Sequence, residues 1–373
     1  MSIAADLAAV VRVPSVTGDE KPVLELFASL ADDAGLRADL HQHDLAALRA
    51  HPDHPGEEAP REELWGLTVT RPGGPRRICL CAHVDIVPPG TEPWRHGPWS
   101  GVIEDGCLHG RGSVDMKAGA VAALHAMRAG AGPEVVLQLV ASEEDGGLGA
   151  FAALERDAEF DACLIPEPTG FVVVCAQAGS LIFRGTVRGR AAHAAERLEG
   201  RSAIDAYIPV HAALAEYERA LNADVAHPLM RELRLPYPLS VGRLNAGEWP
   251  STVPDRLTFE ARLGVRVGED PAAARAALEA ALPDVEIEWS GGAFAPGETP
   301  PDHPWVQRVR EAVGADARVG GVPWGADMRL YTARGIPTVM VGTSGIELAH
   351  AVDERVRLDE VETLARIIAR VIS

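Results

Sequence analysis

Short apolar runs alternate with amphipathic segments along the first half of the chain. The runs span 65–70, 78–82, 135–141 and 162–165, and the third of them is rich in β-branched residues. Runs of this length and composition predict buried strands. Helical spacing of apolar residues covers 7–12, 22–34 and 118–129, the last ended by Gly130. Alternating strands and helices predict an α/β fold with a mostly parallel sheet and helices on both faces.

The pattern changes near Gly179. Four short strands are predicted there, over 181–188, 239–243, 257–267 and 285–289. The first three alternate apolar and polar residues, which is typical of antiparallel strands with one exposed face. The helices between them span 203–221 and 271–281. This β-α-β-β-α-β order predicts a small α+β domain of the ferredoxin-like type.

The α/β pattern resumes after Gly291. A helix is predicted over 304–313, a strand over 338–341 and a last helix over 359–372. We therefore predict one catalytic domain built from residues 1–178 and 291–373, with a second domain, 179–290, inserted into it. The polar, Pro-containing segment 41–63 predicts an exposed loop.

The composition is that of an ordinary globular protein, with 373 residues, 47% hydrophobic and 24% charged. No apolar run has the length of a membrane span, and the amino terminus lacks a signal-peptide pattern. Five cysteines without regular spacing predict a reducing compartment, hence a cytoplasmic protein. The formal net charge of -19 argues against nucleic acid and anionic membranes as partners, because both require a basic surface.

A histidine and an aspartate follow the apolar run 78–82, in the sequence Cys-Ala-His83-Val-Asp85. Because alternate residues of a strand point to the same side, both side chains would leave the sheet together at its carboxyl end, where open α/β sheets bind ligands. A carboxylate beside an imidazole holds one ring nitrogen so that the other can coordinate a metal ion. Taken alone, the pair also fits a histidine on a surface loop.

Five further polar residues lie at predicted strand ends or in adjacent loops: Asp115, Glu143, Glu144, Glu167 and His350. Singly they have simpler interpretations, such as an acid at the start of a helix for Asp115 or a solvated turn for Glu143 and Glu144. Together, imidazole and carboxylate ligands favour Zn²⁺, Co²⁺ or Mn²⁺ over Ca²⁺ or Mg²⁺. The carboxylates are too many for one four-coordinate ion, and two ions about 3.5–4 Å apart would accommodate them.

These motifs, in this order, resemble a known family. The matching stretches are His83-Val-Asp85, residues 105–117, Glu143-Glu144, Glu167-Pro-Thr and Ala349-His350. They resemble the di-zinc peptidases that include acetylornithine deacetylase, succinyl-diaminopimelate desuccinylase, aminoacylase and some carboxypeptidases and dipeptidases. The resemblance covers nearly the whole chain. It implies a zinc-peptidase-like catalytic domain with an inserted lid and dimerisation domain.

The resemblance also implies roles for the candidate residues. His83 and Glu167 would hold one zinc ion, Glu144 and His350 the other, and Asp115 would bridge the two. Asp85 would orient His83. Glu143 would be the general base that takes a proton from the water and passes it to the leaving amine.

Three residues outside the metal ligands gain roles from the same resemblance. His193 matches a histidine that reaches into the partner subunit's site and stabilises the tetrahedral oxyanion, which implies a homodimer. Arg262 matches an arginine that binds a substrate carboxylate through two hydrogen bonds, and Arg329 is a second candidate. A solvated or structural role remains open for each arginine, and an ordinary loop position for His193.

One stretch departs from the family pattern. Members commonly carry Asn before Val-Val-Pro on a lid strand, whereas this chain has Ser251, with Asn245 nearby. The departure leaves the metal chemistry untouched. It leaves the contacts of the substrate pocket open and weakens the match to either name-giving enzyme.

We predict a zinc-dependent amidohydrolase that removes an acyl group from an N-acyl amino acid or small N-acylated amine by means of a metal-bridging hydroxide. Glu167, rather than Asp at that position, fits the deacylases and aminoacylases. A dipeptidase or carboxypeptidase with the same site is the nearest alternative. A binding protein that has lost catalysis is disfavoured by Glu143 and the complete ligand set, and a nucleotide-binding enzyme by the lack of a phosphate loop in 106–112.

Overall fold

The computed structural model describes residues 2–128 and 132–373. The α-helices are α1 (Ile3–Arg12), α2 (Lys21–Asp33), α3 (Leu45–Arg49), α4 (Ala118–Met127), α5 (Leu148–Arg156), α6 (Ala203–Ala223), α7 (Pro228–Arg231), α8 (Pro271–Ala281), α9 (Pro304–Val313), α10 (Met328–Ala333) and α11 (Leu358–Val371). The strands are β1 (Arg37–Gln42), β2 (Trp65–Arg71), β3 (Gly74–His83), β4 (Val102–Glu104), β5 (Cys107–His109), β6 (Pro133–Val140), β7 (Ala162–Ile165), β8 (Val173–Gln177), β9 (Gly179–Arg188), β10 (Leu239–Ala246), β11 (Arg256–Val265), β12 (Glu286–Phe294), β13 (Gly297–Glu298), β14 (Val319–Val322), β15 (Thr338–Met340) and β16 (Arg355–Arg357). Ala129 and Gly130, the predicted end of the helix that starts at Ala118, lie outside the described residues.

The chain divides into two compact units. Unit 1 comprises the described residues of Met1–Ala176, Glu298–Gly320 and Ala326–Ser373, and unit 2 comprises Gln177–Gly297 and Gly321–Gly325. All predicted metal ligands belong to unit 1. The assignment of an inserted domain, 179–290, to a lid and dimerisation role stays a prediction.

Unit 1 is built on a mixed sheet with the strand order β1-β2-β6-β3-β7-β15-β8-β13, and β14 pairs with β8. The central strands β6, β3, β7 and β15 are parallel to one another. Their apolar side chains are buried on both faces, as expected for a parallel sheet covered by helices. β1 and β2 on one side and β8 on the other add antiparallel pairs. The predicted α/β fold with a mostly parallel sheet is confirmed.

Helix α4 shows how the sheet is covered. It is apolar around its whole circumference, and all of its residues except His125 are buried. It contacts β3 and β6 on one side and α1 and α11 on the other, so it lies between the sheet and an outer layer of helices. Such a helix is buried in a large core or in a membrane, and no described helix is long and apolar enough to cross a membrane.

Unit 2 contains an antiparallel sheet with the order β10-β11-β9-β12. Helix α6 contacts three of these strands and α8. The core includes Phe183 and Phe259, whose rings meet edge to face with centroids 5.9 Å apart. Gly185 makes room for this pair, since a Cβ there would lie 2.2 Å from the Phe259 ring. Chain order and strand order are those of the predicted ferredoxin-like fold.

The prediction of an exposed loop over 41–63 is wrong for residues 41–49, whereas residues 50–63 contain no helix or strand and most of them are at least partly exposed. Strand β1 runs to Gln42, and α3 starts at Leu45, capped by the Asp44 side chain. Leu45 and Leu48 are buried in a cluster that includes Leu64, Leu148 and Phe151. The two leucines are flanked by polar residues that mask this short helix in the sequence.

A buried ion pair holds the end of the same segment. Arg61 donates from Nη2 to both carboxylate oxygens of Asp145, at 3.1 and 3.0 Å, and both side chains are almost fully buried. Asp145 also accepts hydrogen bonds from the backbone N–H groups of Glu58 and Ala59. The segment is thus tied to the turn that carries Glu143 and Glu144.

A three-stranded sheet with the order β16-β5-β4 was not predicted. Its strands have three residues each, too few to show a period in the sequence. The sheet matters for the site because β5 leads directly into the loop that contains Asp115.

Candidate metal centre

His83 is the last residue of β3 and is almost completely buried. Its Nδ1 lies 3.0 Å from the carbonyl oxygen of Asp85. A carbonyl oxygen only accepts, so this contact places a proton on Nδ1 and leaves Nε2 to act as a ligand. Nε2 lies 3.1 Å from Asp115 Oδ1 and 3.9 Å from Glu167 Oε1. The strand end therefore aims the coordinating nitrogen at two of the predicted ligands.

Asp85 makes more contacts than the sequence indicated. Its Oδ1 lies 3.6 Å from His83 Nδ1. Its two carboxylate oxygens also accept hydrogen bonds from the backbone N–H groups of Glu143 and Glu144, each at 3.1 Å, and Thr17 donates to it as well. One buried carboxylate thus fixes both the first histidine and the turn that carries the two glutamates.

Asp115 lies in an irregular turn, Ser113–Lys117, before α4. The turn is held by Glu354, a fully buried residue that the sequence analysis missed. Glu354 accepts hydrogen bonds from Arg111 and from the backbone N–H groups of Gly112, Val114 and Asp115, at 2.7 to 3.3 Å. Glu354 follows the candidate ligand His350 closely in the chain. That proximity was the only feature of the local sequence that could have indicated a role at the site.

Glu143 and Glu144 lie in a sharp turn between β6 and α5. Ser142, Gly146 and Gly147 all have positive φ, at 66°, 143° and 77°. The two glycines adopt these angles without steric cost, which lets the chain turn sharply here. Gly147 N–H donates to the Ser142 carbonyl, which closes the turn. Both glutamates are held close to the sheet, with Glu143 8% exposed.

Glu167 follows β7 and is buried, between Pro166 and Pro168. Two glycines pack against this backbone. A Cβ on Gly342 would lie 2.2 Å from the Glu167 carbonyl oxygen, and one on Gly119 would lie 2.2 Å from that of Pro166. Both close approaches require glycine, and together with the prolines they fix the direction of the Glu167 side chain.

Replacing Gly342 with Ala is expected to lower the affinity for metal. The new Cβ would force the backbone of Glu167 to move, since the clash is with backbone atoms. We expect a loss of roughly 10–100-fold, the range for disturbed partners of metal ligands, measured by metal titration of the stripped protein. Gly242→Ala is the control, because a Cβ there meets nothing within 4 Å. Equal affinities for the two variants would contradict this role of Gly342.

His350 lies after β15, beyond a short 3-10 turn, Ile346–Leu348. Its φ of 62° is in the left-handed region, an uncommon conformation for a residue with a side chain. Nε2 lies 3.2 Å from Glu144 Oε2 and 3.6 Å from Asp115 Oδ2. The half-exposed ring therefore approaches the same carboxylates as His83, from the side of the carboxyl-terminal segment.

The structure thus brings the five predicted ligands into two linked contact groups: His83 with Asp115 and Glu167, and His350 with Asp115 and Glu144. One ligand atom each from His83, Asp115 and Glu144 lie within 4.8 Å of one another. The donor set, imidazole nitrogen and carboxylate oxygen, suits divalent transition metals.

The electrostatics of the site also fit cations. Burial raises the pKa of Glu143 and Glu167 well above the ordinary value, and neighbouring carboxylates add to the effect. Burial lowers the pKa of His83, but hydrogen bonds with Asp115 and Asp85 outweigh it and leave the pKa well above its ordinary value. Hydrogen bonds to Asp115 and Glu144 raise the pKa of His350 to about 10. The carboxylates thus attract protons onto the histidines, and bound cations would replace that positive charge.

The remaining predicted site residues have other surroundings. His193 is exposed in unit 2, and its Nδ1 accepts from the backbone N–H of Ala195. Arg262, on β11, donates to the Pro323 carbonyl at 3.1 Å. Arg329 is buried in unit 1 and donates to the Gly146 carbonyl at 2.6 Å. Their predicted roles stay predictions, although Arg329 is placed to support the turn that carries Glu143.

Comparison with known proteins identifies the family of this chain. A model of peptidase family M20/M25/M40 matches residues 79–373. Succinyl-diaminopimelate desuccinylase of Methylorubrum extorquens is 29% identical, with 98% of this chain and 96% of the relative covered. An M20 family metallo-carboxypeptidase from Sulfolobus solfataricus has a similar fold, with a TM-score of 0.78 at 15% identity and coverage of 100% and 98%.

The YXEP protein of Bacillus subtilis, a dinuclear metal-binding peptidase of the same family, also shares the fold, with a TM-score of 0.64 at 14% identity and coverage of 99% and 96%. The resemblance inferred from the motifs is confirmed. The chain therefore belongs to peptidase family M20/M25/M40 and is a metal-dependent amide hydrolase.

Proposed function

We propose that the chain is a di-zinc deacylase acting on an N-acylated amino acid or small N-acylated amine. The observation that carries this proposal is the position of Asp115, whose carboxylate oxygens face two different histidines. Oδ1 lies 3.1 Å from His83 Nε2, and Oδ2 lies 3.6 Å from His350 Nε2. Asp115 would bridge two ions, with His83 and Glu167 on one and Glu144 and His350 on the other. Co²⁺ or Mn²⁺ would suit the same ligands.

Two bound divalent cations would supply a water molecule of lowered pKa and polarise the amide carbonyl. The chain's own residues do the proton transfer. Glu143, next to the ligand Glu144, would accept a proton from the attacking water and deliver it to the nitrogen of the leaving amine. Burial and the neighbouring carboxylates raise the pKa of Glu143, whereas bound cations would lower it.

Residues outside the candidate metal centre would contact the substrate and the reaction intermediate. The homodimer would bring His193 of each protomer to the other protomer's site, where its imidazole would stabilise the oxyanion. His193 is exposed, and the strand-like bridge between His193 and Thr252 fixes its loop. Arg262 is the candidate for a substrate carboxylate. Arg329 is the weaker candidate, since its guanidinium is buried against the Gly146 carbonyl.

The acyl group is the open part of the proposal. The desuccinylase name of the relative supports an N-acylated substrate with a second carboxylate. The carboxypeptidase among the proteins of similar fold supports the alternative, a dipeptidase or carboxypeptidase that uses the same site. Ser251, where other members commonly have Asn, lies beside the His193 loop, and its backbone carbonyl accepts a hydrogen bond from the backbone N–H of Ala194.

A substrate profile tests this proposal. Protein reconstituted with Zn²⁺ or Co²⁺ is assayed on N-acetyl and N-succinyl amino acids and on dipeptides. We expect kcat/KM to be highest for an N-acyl amino acid. Dipeptide turnover that is faster by orders of magnitude would reject the deacylase assignment in favour of the alternative. No amide hydrolysis in either series would reject both.

A further inference from the structure

We propose that His96, Glu104 and His109 form a second metal-binding site, for Zn²⁺ or a similar divalent transition-metal ion. One ligand atom from each residue lies within 4.8 Å of the other two. None of the three residues belongs to the candidate metal centre of the amide hydrolase. The proposal is therefore independent of the substrate and of the catalytic ions.

The strand pairing explains why the ligands meet. Glu104 ends β4 and His109 ends β5, and these strands are antiparallel with Val102 opposite His109 and Glu104 opposite Cys107. Residues 102, 104, 107 and 109 thus share one face, on which Glu104 is the diagonal neighbour of His109, within reach of a long side chain. His96 comes from the preceding loop and places its ring over the same face, with ring centroids 4.8 Å from His109.

The donor set has the chemistry of a transition-metal site. Two imidazoles and one carboxylate are a ligand set that holds zinc with one coordination position left for water. His96 Nε2 and Glu104 Oε2 are 3.2 Å apart, so both already point to a common position.

One basic side chain competes for the carboxylate. Arg95 Nη2 lies 2.9 Å from Glu104 Oε2. Its side chain is 64% exposed, and an exposed ion pair contributes little. The guanidinium can therefore turn into solvent when a cation binds. Removing this guanidinium should therefore increase the affinity of the site for zinc, whereas replacing a ligand should decrease it.

The test is the zinc content and affinity of the whole protein, titrated with Zn²⁺ after the catalytic centre is loaded. We expect the wild type to bind one more equivalent than Glu104→Gln or the double variant His96→Gln/His109→Gln. Each ligand substitution should lower the affinity for this additional zinc ion by at least roughly 10–100-fold, which is the loss expected when only a residue hydrogen-bonded to a metal ligand is replaced. Arg95→Ala should raise the affinity for this zinc ion by up to about fivefold, which corresponds to the free energy of one exposed ion pair.

Two controls keep the result interpretable. His51→Gln removes a half-exposed histidine that contacts Phe151 and Glu155 elsewhere in the structure, and it should bind zinc as the wild type does. Glu104 is 36% exposed, so Glu104→Gln tests the site even if the double variant fails to fold. Identical zinc content and affinity in the wild type and Glu104→Gln would overturn the proposal, whatever the amide substrate proves to be.

Discussion

Glu143→Gln is expected to abolish most of the amide hydrolase activity while leaving the metal content unchanged. The substitution removes the carboxylate that would transfer the proton, and general acid–base catalysis contributes about 10²- to 10⁴-fold. The amide keeps the size of the side chain, so the turn held by Asp85 should keep its shape. The measurements are kcat on the best amide substrate and metal analysis of the same sample.

Glu311→Gln serves as the matched control, because Glu311 is an exposed residue of α9. Its turnover should equal that of the wild type. If Glu143→Gln retained full turnover, the assignment of the general base would be wrong. If it lost metal in parallel with activity, Glu143 would be a ligand rather than the base.

His83→Ala and Asp85→Asn are expected to differ in metal stoichiometry. We expect the stripped and reloaded wild type to hold about two catalytic ions per chain, as a bridged two-metal site requires. His83→Ala removes a ligand and should lose the ion that it shares with Glu167. Asp85→Asn keeps every ligand and should weaken metal affinity by about 10–100-fold, as substitutions behind a ligating histidine do.

The contacts of Asp85 add a second expectation for the same variant. Its carboxylate accepts the backbone N–H groups of Glu143 and Glu144, and an Asn side chain has one oxygen fewer to accept them. Turnover should therefore fall even at saturating metal. Turnover restored to the wild-type level by excess Zn²⁺ would show that Asp85 acts on His83 alone. One weakly held ion with full activity in the wild type would contradict the two-metal site.

The proximity of three of the five predicted ligands was predictable because each of the three follows an apolar strand. In a parallel sheet the carboxyl ends of neighbouring strands meet at one edge, and β3, β6 and β7 are neighbours in this sheet. His83, Glu144 and Glu167 follow these strands, so the pattern of apolar runs is sufficient to bring them together. The roles of the individual residues came from the family motifs, since apolar runs do not distinguish a ligand from a base.

The supports of the site were not predictable in the same way. Glu354 holds the Asp115 turn across 239 to 243 residues of chain, and no local pattern connects residues that far apart. Arg61 and Asp145 carry charges, and charged residues predict exposure, yet they are buried because they pair with each other. The error over 41–49 also comes from contacts with distant parts of the chain, since Leu45 and Leu48 are buried against Leu148 and Phe151.

The position of β15 has a consequence for synthesis on the ribosome. This strand lies between β7 and β8, yet it is made only after unit 2, which interrupts unit 1 in the chain. Unit 2 is nearly continuous in sequence and can fold as it emerges. The edge of β7 that pairs with β15 stays unpaired until Thr338–Met340 has been synthesised. Open strand edges of incomplete domains are sites of mispairing. The nascent chain is thus most prone to aggregation while unit 2 is being made, and His350 joins the other ligands only when that interval has ended.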